Sequence, residues 1–319
     1  MNVRILNAEP IGYSDEAWQI LNSIGELIEE TVTQDELAAR VADVDVLIVR
    51  VGLKVTREVL EASNRLRVVV SATTGLNHVD LETAKKRSII VLSLQGETKF
   101  LGSIPATAEH TWALLLSLLR HVPWAFEHVR NNGWNRDNFR GHELKGKNLG
   151  ILGLGRVGKQ VAHYGLAFGM LVGGYDPARE KWVNGVRRFE AVNDILRWSR
   201  VLSLHMPLTE ITHGFLSEER LRLLPKGAWI VNTSRGAIVD EIALVDLLKQ
   251  GHIAGAAVDV LSGEQPMEQR NQSPLLNYVR KHDNLLITPH LGGATVESMR
   301  RTEIFMAEKL HRFLTNHCK

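Results

Sequence analysis

The chain has 319 residues, 44% hydrophobic and 23% charged, with a formal net charge of +2. That length accommodates two domains with a buried core each, and the composition excludes a disordered or fibrous chain. No block of like charge favours nucleic acid or an anionic membrane. The opening residues Met1 to Asn7 lack the apolar core of a signal peptide, and no apolar run approaches the ~20 residues of a spanning helix, so a cytoplasmic protein is expected.

From the N-terminus onward, short β-rich runs alternate with helical patterns, the signature of parallel sheets joined by crossover helices. Strands are expected at 3–7, 46–50, 67–71 and 89–93, with helices at 14–24, 33–42 and 81–88, which together make one small α/β unit. The stretch 103–120 places Pro105 where a first helical turn tolerates proline, and its Trp112-Ala113-Leu114-Leu115-Leu116 run is apolar all round. It reads as a buried connecting helix. A second series of strands at 148–153, 171–175, 201–205, 228–232, 254–258 and 285–288 builds a larger doubly wound unit. The last helical pattern, 295–313, is too long for a loop and is expected to pack back on the first unit. The expected fold class is α/β, with two Rossmann-like or flavodoxin-like doubly wound parallel-sheet domains and an active-site cleft between them. One domain is discontinuous, 1–98 with 291–319, and the other runs over 99–290. Cys318, the only cysteine, has no partner for an intrachain disulfide and cannot build a metal cluster, so no metal site is expected. It reads as an inert thiol in a frayed tail.

The first motif with chemistry is Gly153-Leu154-Gly155-Arg156-Val157-Gly158, preceded by the apolar strand 148–152 and followed by helical spacing over 159–168. Gly153 permits the tight turn, Gly155 lets the backbone approach a pyrophosphate, and Gly158 allows close packing of helix on strand. The pyrophosphate would then meet the positive end of the helix. Asp176 stands at the end of the next strand, near the ~20-residue offset at which a carboxylate accepts from the adenosine ribose hydroxyls. The same charge repels a 2′-phosphate, so NAD is expected rather than NADP, although Arg179 is close by.

Three charged residues follow: Arg235 in Asn232-Thr233-Ser234-Arg235-Gly236, Glu264 in Gly263-Glu264-Gln265-Pro266, and His290 in Thr288-Pro289-His290-Leu291-Gly292-Gly293. Oxidising a 2-hydroxy acid needs a cation to hold the carboxylate and polarise the C2 oxygen, and the planar fork of arginine suits that task. It also needs a base that titrates near neutrality, and a histidine paired with a carboxylate answers to it. Singly, Arg235 could cap a strand end, Glu264 could sit in a solvated turn and His290 could be a satisfied histidine after a proline. Together, at the carboxyl ends of expected strands, they read as a substrate clamp, a histidine partner and an acid/base.

With these residues in place the chain resembles the D-isomer-specific 2-hydroxyacid dehydrogenases, and within them the phosphoglycerate dehydrogenase branch. The resemblance runs through 49–56, Thr74-Gly75-Leu76-Asn77-His78-Val79-Asp80-Leu81, Ala108-Glu109-His110-Thr111, 146–153, 232–236 and 254–260, nearly the whole length. It implies that Arg235 binds substrate, Glu264 pairs with the histidine and His290 is the acid/base. It implies further that Thr107, Arg156, Val157, His205, Pro207, Thr233, Ser234, Asp259, Gly292 and Gly293 border the cofactor. By the same resemblance, backbone amides at Thr74, Gly75 and Leu76 hold the substrate carboxylate, and Arg50 and Lys54 belong to a cationic loop that faces a substrate phosphate. A homodimer is implied, through an arm at about 103–147 where Trp112, Trp124 and Trp134 cluster.

Two features depart from the family pattern. Gln265 separates Glu264 from Pro266, and 267–283 is longer and more polar than is common. The chain ends soon after the last helix, so a following regulatory domain is not expected. The substrate expected first is a phosphorylated or otherwise acidic 2-hydroxy acid such as 3-phosphoglycerate. Glyoxylate or hydroxypyruvate reduction stands as the alternative, and an NAD(H)-sensing regulatory dimer as the alternative of another class.

Overall fold

The computed structural model describes residues 3–264 and 267–317; Gln265, Pro266 and Cys318, each singled out in the sequence, lie outside the described residues. The chain divides into two compact units, 1–103 with 295–319 and 104–294.

The first unit is a five-stranded parallel sheet in the order β2-β1-β3-β4-β5, from β1 (Arg4–Asn7), β2 (Glu26–Glu29), β3 (Val46–Val49), β4 (Val68–Ser71) and β5 (Ile90–Ser93). This is the flavodoxin-like order of doubly wound sheets. The central strands are apolar runs because helices cover both faces. All four residues of Val-Leu-Ile-Val in β3 are buried, as are those of Val-Val-Val-Ser in β4. The sequence does not predict strand β2. Its Glu-Leu-Ile-Glu stretch offers only two apolar residues, half-buried at the sheet edge, and it is strand because β1 pairs with it from Arg4↔Glu26 to Asn7↔Glu29. The helix Asp15–Ile24 is capped by Ser14, whose hydroxyl accepts from Ala17 N–H at 3.3 Å. In Gln34–Val41, Thr33 and Glu36 form a capping box. The terminal helix Val296–His317 lies against Asp15–Ile24, with Arg300 paired to Glu16 at 2.6 Å and Glu303 accepting from Ser14 N–H at 2.8 Å.

The second unit is a seven-stranded parallel sheet in the order β12-β11-β10-β9-β6-β7-β8. Its strands are β6 (Asn148–Leu152), β7 (Leu171–Tyr175), β8 (Arg187–Arg188), β9 (Val201–Leu204), β10 (Ala228–Asn232), β11 (Ile253–Val258) and β12 (Leu285–Ile287). The chain runs outward from β6 through β7 to β8, then returns to the other side of β6 at β9. The crevice beyond the carboxyl ends of β6 and β9 is thus a topological switch point, where ligands bind in such sheets. Strand β8 is likewise not predicted by the sequence, being two exposed arginines that pair with Gly173 and Gly174 of β7. The helix expected at 103–120 spans Ala106–Leu119, preceded by Pro105, and buries Trp112, Leu114, Leu115, Leu118 and Leu119.

The three tryptophans of the expected arm do not form one cluster. Trp112 is in the core, 4.7 Å from the Phe168 ring between centroids, whereas Trp134 is 89% exposed. They are close in sequence, but the end of Ala106–Leu119 and the new helix Val122–Arg130 part them. Among the described residues no helix is long and apolar enough to cross a membrane.

Candidate active site

The glycine fingerprint occupies the turn from β6 into the helix Arg156–Ala167. Gly153 has φ +90°, a left-handed conformation, and a Cβ there would lie 2.5 Å from the His205 carbonyl oxygen. A Cβ on Gly158 would lie 2.0 Å from the carbonyl oxygen of Gly153, so helix and turn approach as only glycine allows. Beside Gly155, in contrast, nothing stands within 4 Å of an added Cβ. That open cradle at a helix N-terminus fits a dinucleotide pyrophosphate. Arg156 opens the helix with its guanidinium 3.5 Å from the Ile104 carbonyl oxygen, and burial lowers its pKa. Val157 packs against the core behind the turn.

Asp176 follows β7, its carboxylate accepting from Leu154 N–H at 2.8 Å and Ala178 N–H at 3.1 Å. Arg179 is turned to backbone, donating to the carbonyl oxygens of Leu154 and Lys181. The negative group is therefore braced by the fingerprint itself, while the nearby cation already has acceptors. On the other side of the switch point His205 follows β9, its Nε2 2.7 Å from Ser203 Oγ. Burial pushes its pKa down to about 3, so the ring is neutral. Pro207 follows in an exposed stretch.

Successive strand ends carry the charged residues. Beyond β10 the Asn232 side chain braces the turn, accepting from Ser234 N–H at 3.0 Å and donating to the Arg235 carbonyl oxygen at 2.9 Å. Thr233 Oγ1 is 2.8 Å from Thr111 Oγ1. Arg235 lies in extended backbone and donates to the Ser234 carbonyl oxygen at 2.6 Å. Burial lowers its pKa, and the charge of Glu264 opposes that. Beyond β11, Glu264 accepts from Leu261 N–H at 3.0 Å with one oxygen, and its other oxygen meets His290 Nδ1 at 2.7 Å.

A carboxylate only accepts, so Nδ1 carries the proton and Nε2 is the nitrogen left for chemistry. The hydrogen bond to Glu264 raises the His290 pKa, burial works against it, the charges of Glu264 and Asp259 add to the rise, and that of Arg235 opposes it. His290 itself has φ +57°. Its backbone is held in that left-handed state by N–H bonds to the carbonyl oxygens of Asp259 (2.9 Å) and Thr288 (3.0 Å).

Asp259, expected beside the cofactor, is a hub. It is 1% exposed and accepts from Thr288 Oγ1 (2.5 Å), Leu291 N–H (2.7 Å), Gly292 N–H (2.7 Å) and His110 Nε2 (3.2 Å). Thr107 abuts the same loop, 3.2 Å from where a Cβ on Gly292 would be, while the space beside Gly293 is open. The sequence assigns no role to His110, although it lies in a segment that carries the family resemblance, and none to Thr288. Their spacing from Asp259 carries no signal until the strands align.

In the first unit, Thr74, Gly75 and Leu76 form the turn beyond β4, where Thr73 Oγ1 donates to the Gly75 carbonyl oxygen at 2.8 Å. Arg50 does not present a free guanidinium. It donates to Glu303 at 2.5 Å and to the Ile11 carbonyl oxygen at 2.9 Å, and its N–H is taken by Glu9. Lys54 is tied through its backbone to the Gln34 side chain on both sides.

This arrangement defines a class: a dinucleotide-binding sheet whose strand ends carry an arginine and a carboxylate-paired histidine. Residues 112–292 match the family model described as D-isomer specific 2-hydroxyacid dehydrogenase, NAD binding domain. The chain belongs to that family, and its cofactor is NAD. It is 37% identical over 316 residues to the D-3-phosphoglycerate dehydrogenase of Methanocaldococcus jannaschii, covering 98% of this chain and 57% of that one. It is 35% identical over 301 residues to the hydroxypyruvate reductase of Thermotoga maritima, covering 94% and 95%. Among solved structures, a D-lactate dehydrogenase from Aquifex aeolicus, complexed with NAD and lactic acid, matches with a TM-score of 0.82 at 27% identity over 98% of this chain and 96% of that one. The chain spans little more than half the length of the phosphoglycerate dehydrogenase and nearly all of the reductase.

Gly158→Ala drives a methyl group into the Gly153 carbonyl, so NADH binding, followed by protein fluorescence, weakens by at least about tenfold; unchanged affinity would refute the cradle. Glu264→Gln removes the charged acceptor from Nδ1, so the His290 imidazole titrates at lower pH by NMR. An unmoved midpoint would show that the pair does not exist in solution.

Proposed function

We propose that this protein transfers a hydride between NAD and C2 of a D-2-hydroxy acid or its 2-oxo acid. The observation that carries the proposal is the 2.7 Å bond between Glu264 and His290 Nδ1, with Arg235 on the neighbouring strand end. The nicotinamide supplies the hydride acceptor. Arg235 holds carboxylate and C2 oxygen, and its partly desolvated guanidinium binds an anion more strongly than one in water does. His290 Nε2 takes the hydroxyl proton as the substrate is oxidised and returns it on reduction. Glu264 stabilises the imidazolium and fixes the ring. The unit 104–294 carries NAD, and backbone amides at Thr74, Gly75 and Leu76 hold the substrate carboxylate.

A phosphorylated acid such as 3-phosphoglycerate is the first substrate reading, supported by the identity to phosphoglycerate dehydrogenases. Hydroxypyruvate or glyoxylate is the second, and one observation favours it: the Arg50 guanidinium is already paired with Glu303. The intact Arg235, Glu264 and His290 set supports turnover over a purely NAD(H)-sensing role. A cytoplasmic setting accords with a single cysteine in 319 residues.

The homodimer belongs to the same proposal. Val122, Phe126 and Val129 in Val122–Arg130, together with Trp134, expose 51%, 63%, 49% and 89% of their surfaces, an apolar stretch within the expected arm.

Oxidation of NADH is expected with at least one of phosphohydroxypyruvate, hydroxypyruvate, glyoxylate, pyruvate and 2-oxoglutarate, and the best substrate names the class. Arg235→Gln should lower kcat/KM by roughly 10²–10³, the scale for losing one charge-stabilising donor; wild-type kinetics in that variant would overturn the clamp. Light scattering should give twice the monomer mass, reduced by Phe126→Glu with Trp134→Glu, whereas a monomeric wild type would refute the arm.

A further inference from the structure

Glu241 opens the helix Glu241–Lys249, six residues beyond Arg235, and is 7% exposed. A glutamate is almost never so buried without a cation partner. Among the described residues it makes no ion pair. Instead its two oxygens accept from Ser262 N–H at 2.6 Å and Ser273 Oγ at 3.0 Å. These serines stand on either side of Glu264 in the chain.

The second bond is diverted from its ordinary use. Ser273 precedes the helix Pro274–Val279, where a serine hydroxyl commonly caps its own helix, yet here it makes no cap bond and reaches Glu241. The first bond falls where two loops meet. A Cβ on Gly236 would lie 2.0 Å from the Leu261 carbonyl carbon and 2.2 Å from Ser262 N, so the Arg235 turn rests directly on the backbone that leads to Glu264. Leu261 N–H in turn binds Glu264 Oε1. Burial pushes the Glu241 pKa up, the bonds from Ser262 and Ser273 pull against it, and the charge of Glu264 adds to the rise. A cost of this kind is not what packing alone would select, since an apolar side chain would fill the same volume without it.

We propose that Glu241 is a positioning residue of the active site: it clasps Ser262 and Ser273 and so holds the Glu264 carboxylate on His290 Nδ1. The inference rests on the reading of His290 as the proton carrier.

The test uses the full chain with NADH. Glu241→Ala removes both acceptors, while Glu241→Gln keeps an oxygen for Ser262 and an amide towards which the Ser273 hydroxyl can turn. In Glu241→Ala the His290 NMR titration midpoint falls, the high-pH limb of kcat/KM for 2-oxo acid reduction moves down with it, and kcat drops about tenfold, with NADH affinity kept. Glu241→Gln restores the midpoint and the limb. An Ala variant that loses thermal stability alone, with the His290 midpoint unchanged, overturns the proposal; so does a Gln variant as damaged as the Ala one. Should Glu241→Ala fail to fold, Ser273→Ala removes one clasp only: a lowered midpoint supports the proposal and an unchanged one overturns it. The midpoint needs no substrate, so an absence of turnover with every 2-oxo acid would count against the dehydrogenase reading while the midpoint still decides the role of Glu241.

Discussion

Four hydrogen bonds converge on the buried carboxylate of Asp259, and the carboxyl end of the second sheet depends on them. Burial alone would push its pKa up, but the donors, His110 first and then Thr288, Leu291 and Gly292, pull it down. An unpaired charge at 1% exposure would be costly; one that accepts from two backbone amides, a hydroxyl and an imidazole is compensated. Those bonds pin the segment from Thr288 to Gly292, and with it the left-handed backbone of His290. A single left-handed residue costs about 1–2 kcal/mol, a strain that persists only where the surroundings over-determine it. The histidine is thus aimed by its backbone first and tuned by Glu264 second.

Parallel topology makes this possible. Strands β10, β11 and β12 are neighbours in register, from Asn232↔Val258 to Val258↔Ile287, so residues that follow each strand emerge side by side. Arg235, Glu264 and His290 are distant in sequence and adjacent in the sheet for that reason alone. The same geometry sets β6 and β9 around the switch point, with the open space of Gly155 on one side and His205 on the other. Both the open glycine turn and the pairing of Glu264 with His290 are consequences of one row of carboxyl ends.

Charge is handled differently at each position. Arg235 is partly desolvated and partly compensated by Glu264, which leaves it receptive to an anion. Asp176 is committed to the amides of Leu154 and Ala178, so its charge stands where the fingerprint turn meets the end of β7. His205 is held neutral by burial and adds no charge of its own. In the first unit Arg50 is satisfied by Glu303, a residue from the terminal helix. A basic residue in a loop is therefore not in itself an anion site, and the identity of its acceptor decides.

The sequence by itself determined the strand-helix alternation, the central strands, the glycine turn and the three charged residues. Each is a local pattern: apolar runs of strand length, glycines at fingerprint spacing after a strand, and charged side chains within short motifs. Tertiary structure decided the rest. Strands β2 and β8 exist only because β1 and β7 pair with them, since Glu-Leu-Ile-Glu and Arg-Arg carry too little apolar signal of their own. The pairing of Arg50 with Glu303, the bonds of His110 to Asp259 and of Glu241 to Ser262 and Ser273 join residues that no spacing relates. Local propensity is written residue by residue, whereas the partner of a buried charge is chosen by packing between segments that meet only once the chain has folded.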